Sequence, residues 1–329
     1  MAHITFIHGI ANKPAPDPLL KLWLRGLAQG GGLDLGTEGV TSSMVYWADV
    51  MYPEPLKEEA AQESLEAVDA LGADPVDMSW REAEGAGGGD DALWMAQLAA
   101  KLQSSFVADE AVTSVTPGEP ESAPPSPPGG LTQEAQERIL LPWFIKERLM
   151  ETLLRDVHHY LFNVQYSPRP GATFRVQDDI RRRFLDAVIA GSKQPGPHIV
   201  VSHSMGTVIA YDCLKRVPEC PTVDGLMTIG CPLGLDEVQD KLQPGWSRKD
   251  GFPHERVHGG WINVYDRLDP VAGFDPNLAN DFRRNDEKIV RDINEQNSGR
   301  WRHNISKYFS GTKLRGALRE LLRLQSDED

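Results

Sequence analysis

Ser204 is flanked by small residues in Ser202-His203-Ser204-Met205-Gly206, with the apolar, β-branched Ile199-Val200-Val201 before it and the helix-forming Val208-Ile209-Ala210 after it. That order predicts a buried strand, a sharp turn and a helix, which together leave a serine hydroxyl at the carboxyl edge of a parallel sheet. Small residues at 202 and 206 suit a strained turn in which strand and helix pass close together. Ser202 stands where such turns usually carry a first glycine, and it adds a Cβ. A serine hydroxyl is a poor nucleophile until a base removes its proton, and the base must itself be oriented by a carboxylate. With a turn of this kind the chain order is serine, acid, histidine.

That order singles out one base. Of the nine histidines, only His303 follows the strand end at Asp266-Arg267-Leu268-Asp269, in a loop after the last expected strand. His203 is adjacent to the nucleophile and cannot turn back onto it. His158 and His159 read as surface or packing residues. Two acids compete. Asp266 lies at the strand end and could brace the loop instead. Asp269, one short loop further on and followed by Pro270, has the greater reach and is preferred, with Asp236 a distant third.

A second group lies near the start. The short apolar strand Ile4-Thr5-Phe6-Ile7 runs straight into His8-Gly9-Ile10-Ala11. A glycine there lets the backbone turn so that the next N–H points inward. The N–H of Ile10 and that of Met205, just after the serine, are the expected donors to an oxyanion. His8, Gly9, His203, Gly206 and Asp266 are the expected supporting residues.

The elements that must position these groups alternate between strand and helix. Apolar runs predict strands at 4–7, 45–47, 198–202, 224–230 and 261–265, with a weak last strand at 289–290. Helical periodicity predicts helices at 19–27, 178–190, from the serine turn to about 216, and at 314–324. The expected fold is therefore α/β, a mostly parallel sheet flanked by helices, with residues 1–52 and 168–329 as its core. Between them the rhythm stops. Residues 53–167 are expected to form a helical cap with helices at 56–71, 93–106 and 138–162 and a flexible Pro/Gly-rich connector at 113–130. The helix at 138–162 is the most apolar, with Ile139, Trp143, Met150, Leu153, Val157 and Tyr160 on one face and Phe144, Leu154 and Leu161 beside them. It either covers the site or packs on the sheet as core. Trp47, Ala48 and Asp49 line the pocket or, for Trp47, pack.

Composition narrows the partners. The chain of 329 residues is long enough for one large α/β domain with an insertion. A net charge of −14 argues against nucleic acid and anionic membranes as electrostatic partners. The cations Arg138, Lys146, Arg148 and Arg155 are too few to make membrane contact by the apolar helix the expectation. Cys213, Cys220 and Cys231 have no metal-ligand spacing and read as reduced thiols. No signal-peptide pattern and no membrane-spanning apolar run is seen, and a cytoplasmic protein is expected. No metal or other cofactor is expected, because Cys/His clusters and a phosphate loop are both missing.

The chain resembles the α/β-hydrolase superfamily of serine esterases and lipases. The resemblance rests on His8-Gly9, Ser202-His203-Ser204-Met205-Gly206, Thr228-Ile229-Gly230-Cys231-Pro232-Leu233-Gly234, the stretch from Asn263 through Asp266 and Asp269 to Val271, and His303. The Thr-Ile-Gly-x-Pro-Leu-Gly strand end is similar to that of the subgroup of lipid-directed serine esterases and glycolipid inositol deacylases. The resemblance covers the first strands and everything from about residue 178 onward, but not 53–167. It implies a Ser204–Asp269–His303 triad that hydrolyses a carboxylic ester, and the apolar face of the helix at 138–162 adds a lean toward a lipid or acyl ester. Acyltransferases and thioesterases would use the same residues. A binding protein on this fold is the alternative from another class. Two departures stand out: Ser202 at the first elbow glycine, and the lack of the usual first two strands before His3, which implies a trimmed sheet.

Overall fold

In a computed structural model the chain is described at residues 1–57, 90–111, 143–273, 275–298 and 301–324. The strands are β1 (His3–Ile7), β2 (Thr41–Val45), β3 (Gln165–Arg169), β4 (Ala172–Arg175), β5 (His198–His203), β6 (Gly225–Ile229), β7 (Trp261–Tyr265) and β8 (Arg291–Asn294). The helices are α1 (Pro16–Ala28), α2 (Ala48–Met51), α3 (Asp90–Ala111), α4 (Trp143–Leu161), α5 (Val176–Gly191), α6 (Met205–Arg216), α7 (Asp236–Leu242), α8 (Ile305–Ser310) and α9 (Thr312–Leu322). The expected connector at 113–130 and nearly all of the expected helix at 56–71 lie outside the described residues.

Six strands form one sheet in the order β2-β1-β5-β6-β7-β8, and each neighbouring pair runs parallel. The protein is thus α/β, a parallel sheet flanked by helices on both faces. A strand covered on both faces is apolar throughout rather than alternating. In β5, Ile199 and Val201 join the core shared with α1, α8 and α9, while Val200 joins the core shared with α4, α5 and α6. Full burial of such a side chain is worth roughly 1.5–3 kcal/mol.

The strand order also fixes where a site can form. From β1 the chain steps outward to β2, then returns to lay β5 on the other side of β1. The direction of winding therefore reverses between β1 and β5, where parallel sheets open a crevice at their carboxyl ends. His8 leaves β1 and Ser204 leaves β5 at this point, with Ile7 paired to Ser202 across it.

Sequence and structure differ at both sheet edges. The second strand lies at Thr41–Val45 rather than 45–47, and Trp47 precedes α2 instead. The last strand is Arg291–Asn294, after the apolar 289–290. Both are polar edge strands. In β8 the Asp292 carboxylate accepts N–H groups from Leu278, Ala279 and the Asn263 side chain. The hairpin β3–β4 has no counterpart in the sequence reading and spans the expected cap boundary at 167/168. Helix α4 is enclosed on every side from Thr152 to Tyr160. One fully buried carboxylate fastens it: Asp212 of α6 accepts the Tyr160 hydroxyl at 2.6 Å and is gripped by Arg181 of α5 at 2.7 and 2.9 Å. His158 and His159, on this helix, are both buried. Among the described residues no helix is long and apolar enough to cross a membrane.

Burial pushes several histidines down from their ordinary value of 6.5, His158 and His198 to about 4 and His8 and His159 to about 3. The unfolded chain takes up protons at these residues as pH falls through 6.5, whereas the fold resists until about 4, so acidification across that window favours unfolding. The urea midpoint should fall continuously from pH 7 to pH 4.5, with uptake of more than one proton per molecule on unfolding. A flat midpoint over that range would contradict neutral burial of these rings.

Candidate active site

Ser204 sits between β5 and α6 at φ +53°, ψ −129°, a conformation that L residues rarely adopt and that costs about 1–3 kcal/mol. Its backbone is held there from two sides. Its N–H donates to Ile229 O at the end of β6, and its carbonyl accepts both the N–H and the hydroxyl of Thr207. The neighbouring backbone passes so close that side chains are excluded. A Cβ on Gly206 would lie 2.6 Å from His8 O and 2.7 Å from Ile7 O, and one on Gly9 would lie 2.6 Å from Ser204 Cβ. Ser202, which carries a Cβ where such turns usually have glycine, is buried and donates its hydroxyl to Met227 O.

The structure brings Ser204, His303 and Asp269 into one hydrogen-bonded line. His303 Nε2 lies 2.8 Å from Ser204 Oγ, and His303 Nδ1 lies 2.9 and 2.8 Å from the two oxygens of Asp269. Burial alone would raise the Asp269 carboxyl. The neighbouring His303, with hydrogen bonds from His303, Tyr308 and Val271, outweighs it and holds the carboxyl below its ordinary value. An ionised carboxylate only accepts, so Nδ1 carries the imidazole proton and Nε2 offers its lone pair to the serine O–H.

Asp266 has a different task. Its carboxylate accepts the N–H groups of Leu268 and Asn297 at 2.7 Å and pairs with Arg302 at 3.2 Å. It ties the β7 exit to the loop that carries His303 and does not reach the imidazole. His203 likewise acts on the frame: its Nε2–H donates to the main-chain carbonyl of His303 at 2.9 Å, and burial keeps the ring neutral.

The loop after β1 is clamped peptide by peptide. Trp47 N–H donates to His8 Nε2, which leaves His8 Nδ1 protonated to donate to Gly9 O at 2.8 Å. The Trp47 indole stacks on His8 at 4.8 Å and its Nε1–H donates to His8 O, so Trp47 packs against this loop. Lys13 Nζ donates to Ile10 O and, at 3.2 Å, to Ala11 O, while Asp156 of α4 accepts the Ala11 N–H. Ala11 itself is at φ +69°. The N–H groups of Ile10 and Met205 have no acceptor among the described residues. Trp47 thus takes the packing role, one of the two expected of it, whereas Lys13 and Asp156 were not among the site residues expected from sequence, and neither was Tyr308, whose hydroxyl meets Asp269. Their roles depend on loop conformation and carry no spacing signal. Asp236 begins α7 and takes no part in the line.

No protein-family model matches this chain, and no curated protein matches it significantly. Among the described residues no three His, Cys, Asp or Glu side chains gather as metal ligands.

The close approach at Gly9 makes a direct prediction. Gly9→Ala must push the loop or Ser204 aside, and a displacement of that size typically costs about 100-fold in reactivity. Gly316→Ala, in α9 with nothing within 4 Å of the added Cβ, should be neutral or slightly stabilising. The rate of Ser204 labelling by a fluorophosphonate checks both. Equal rates in Gly9→Ala and wild type would show that the contact is not limiting.

Proposed function

We propose that this protein is a serine hydrolase of the α/β-hydrolase fold that cleaves a carboxylic ester through an acyl-enzyme. The reading is carried by the continuous line from Ser204 Oγ through the His303 imidazole to Asp269, set on a strained turn at the carboxyl edge of the sheet. Ser204 Oγ attacks the ester carbonyl while His303 Nε2 takes its proton. The tetrahedral intermediate collapses, the C–O bond to the alcohol breaks, and His303 returns the proton to the leaving oxygen. Water then attacks the acyl-serine with His303 as base again, releasing the carboxylic acid and restoring Ser204. Asp269 holds the Nδ1–H tautomer and stabilises the imidazolium.

Ile10 and Met205 are the donors of the oxyanion hole in this reading. The Gly9–Ile10 peptide has its carbonyl turned to the His8 ring, and in a trans peptide the N–H then points the opposite way. Each such donor is typically worth about 3–4 kcal/mol of barrier. The acyl preference expected of the helix at 138–162 rests on its first half, whose side chains lie outside the described residues. Residues 152–160 of that helix are buried core, and the proposed substrate class is a carboxylic ester. No metal or organic cofactor is called for by this chemistry.

Ser204→Ala should abolish both fluorophosphonate labelling and p-nitrophenyl ester hydrolysis without changing the thermal midpoint by more than a few degrees. Retained labelling in that variant would sink the assignment of the nucleophile. The two aspartates separate in a second experiment. Asp269→Asn should lower kcat by roughly 10³–10⁴ through the wrong imidazole tautomer. Asp266→Asn should mainly lower the thermal midpoint, because it leaves the buried Arg302 guanidinium without its charge partner. The reverse ranking would move the acid to Asp266.

A further inference from the structure

Tyr308 lies five residues after His303, on α8. The segment between them is rigid at its start, since the Asn304 side chain caps the helix by accepting the Ser306 N–H. The Tyr308 ring is fully buried, in the core with Phe309, and its hydroxyl stands between the two aspartates of the β7 exit. It accepts the backbone N–H of Asp266 at 2.9 Å and donates to Asp269 Oδ2 at 2.7 Å. The direction of the second bond is fixed: the Asp266 N–H can only donate, so the phenolic proton goes to the carboxylate. Burial and the Asp269 charge raise the phenol well above its ordinary value, so this proton stays on the oxygen at any working pH.

The donors around Asp269 divide its two oxygens. Oδ1 accepts Val271 N–H at 2.7 Å and Ala272 N–H at 3.1 Å, Oδ2 accepts the Tyr308 hydroxyl, and His303 Nδ1 lies within reach of both. Tyr308 therefore shares an oxygen with the imidazole. We propose that Tyr308 is a positioning residue that acts through Asp269, locking the plane of its carboxylate and limiting how strongly it stabilises the protonated His303. A donor that competes for a carboxylate oxygen draws negative charge away from the imidazole and lowers its proton affinity. The same short segment thus delivers the histidine and the hydroxyl that moderates its partner. The inference rests on the reading of Ser204, His303 and Asp269 as the reacting line.

The test compares wild type with Tyr308→Phe, which keeps the ring and removes the hydroxyl. Two readouts are taken: the pH profile of fluorophosphonate labelling at Ser204, and the NMR titration of the His303 ring, assigned by its loss in His303→Gln. The expected result is an upward move of about half a pH unit or more in both the acid limb of labelling and the His303 midpoint. 3-Fluorotyrosine at position 308 is a stronger donor of nearly the same shape, and both should move the other way. If Tyr308→Phe fails to fold, the fluorotyrosine protein decides. A folded variant whose limb and midpoint stay in place overturns the inference and leaves Tyr308 as packing. Absence of any labelling of the wild-type serine would instead overturn the hydrolase reading, and the NMR midpoints would still decide the role of Tyr308.

Discussion

Two stretches of backbone nearly 200 residues apart in sequence meet where β1 and β5 leave the sheet, and they meet too closely for any side chain to stand between them. A methyl group at Gly206 would sit within 2.7 Å of two carbonyl oxygens of the first strand and its exit, and one at Gly9 would strike Ser204. That approach sets the geometry of everything else. It aligns the loop after β1 beside the turn after β5 and holds the start of α6 against the sheet. Ser204 pays for it with a strained φ, and the hydrogen bonds to Ile229 and Thr207 hold the strain in place. The strain is local, but the restraint comes from three neighbouring strands.

Around this crossing, buried charge does different work at each aspartate. Asp266 and Asp269 are three residues apart and both nearly inaccessible. Burial raises Asp266 above its ordinary value even though two backbone N–H groups and Arg302 oppose it. At Asp269 burial acts in the same sense, and there the histidine, the tyrosine and the turn N–H groups prevail. The first carboxylate joins two loops, and the second faces the imidazole. One extra turn of chain, closed by the Asp269 N–H to Asp266 O bond, separates the two outcomes. A buried carboxylate with an adequate set of donors is a fixed acceptor, and that is what an imidazole needs in order to keep one tautomer.

Much of this was legible in the sequence because the relevant signals are local. A strand buried on both faces reads as a mainly apolar run rather than an alternating one, and β5, β6 and β7 read that way. Glycines forced by close approach, such as Gly9 and Gly206, mark their own positions. The chain order serine, acid, histidine isolates His303 among nine histidines, and the structure brings those three side chains together. The edge strands were less legible because their partners are polar. Thr41 and Ser43 of β2 hold hydroxyls that engage His3, and Asp292 of β8 caps a 3₁₀ turn. The β3–β4 hairpin carries Pro168 and Pro170, and proline weakens the sequence signal of a strand. Tyr308 and Lys13 were illegible for a different reason: each acts on a backbone or carboxylate whose position exists only after the loops have folded.

Helix α4 shows how far the core reaches into the chain between β2 and β5. A helix that moves as a lid presents one apolar face and keeps its charges in water. From Thr152 to Tyr160 this helix does neither, since Arg155 and Asp156 are as buried as Leu153 and Val157. Arg155 pairs with Asp156 and lies over the Tyr52 ring at 4.7 Å, and Asp156 holds the Ala11 N–H beside the site. Moving this part of the helix would strip Asp212 of the Tyr160 hydroxyl, leave Ala11 N–H unpaired and expose an ion pair that stays satisfied only in its present setting. Residues 152–160 are therefore a fixed wall behind the loop that carries Ile10. The conformation of that loop is set jointly by the sheet and by a helix from the chain between β2 and β5.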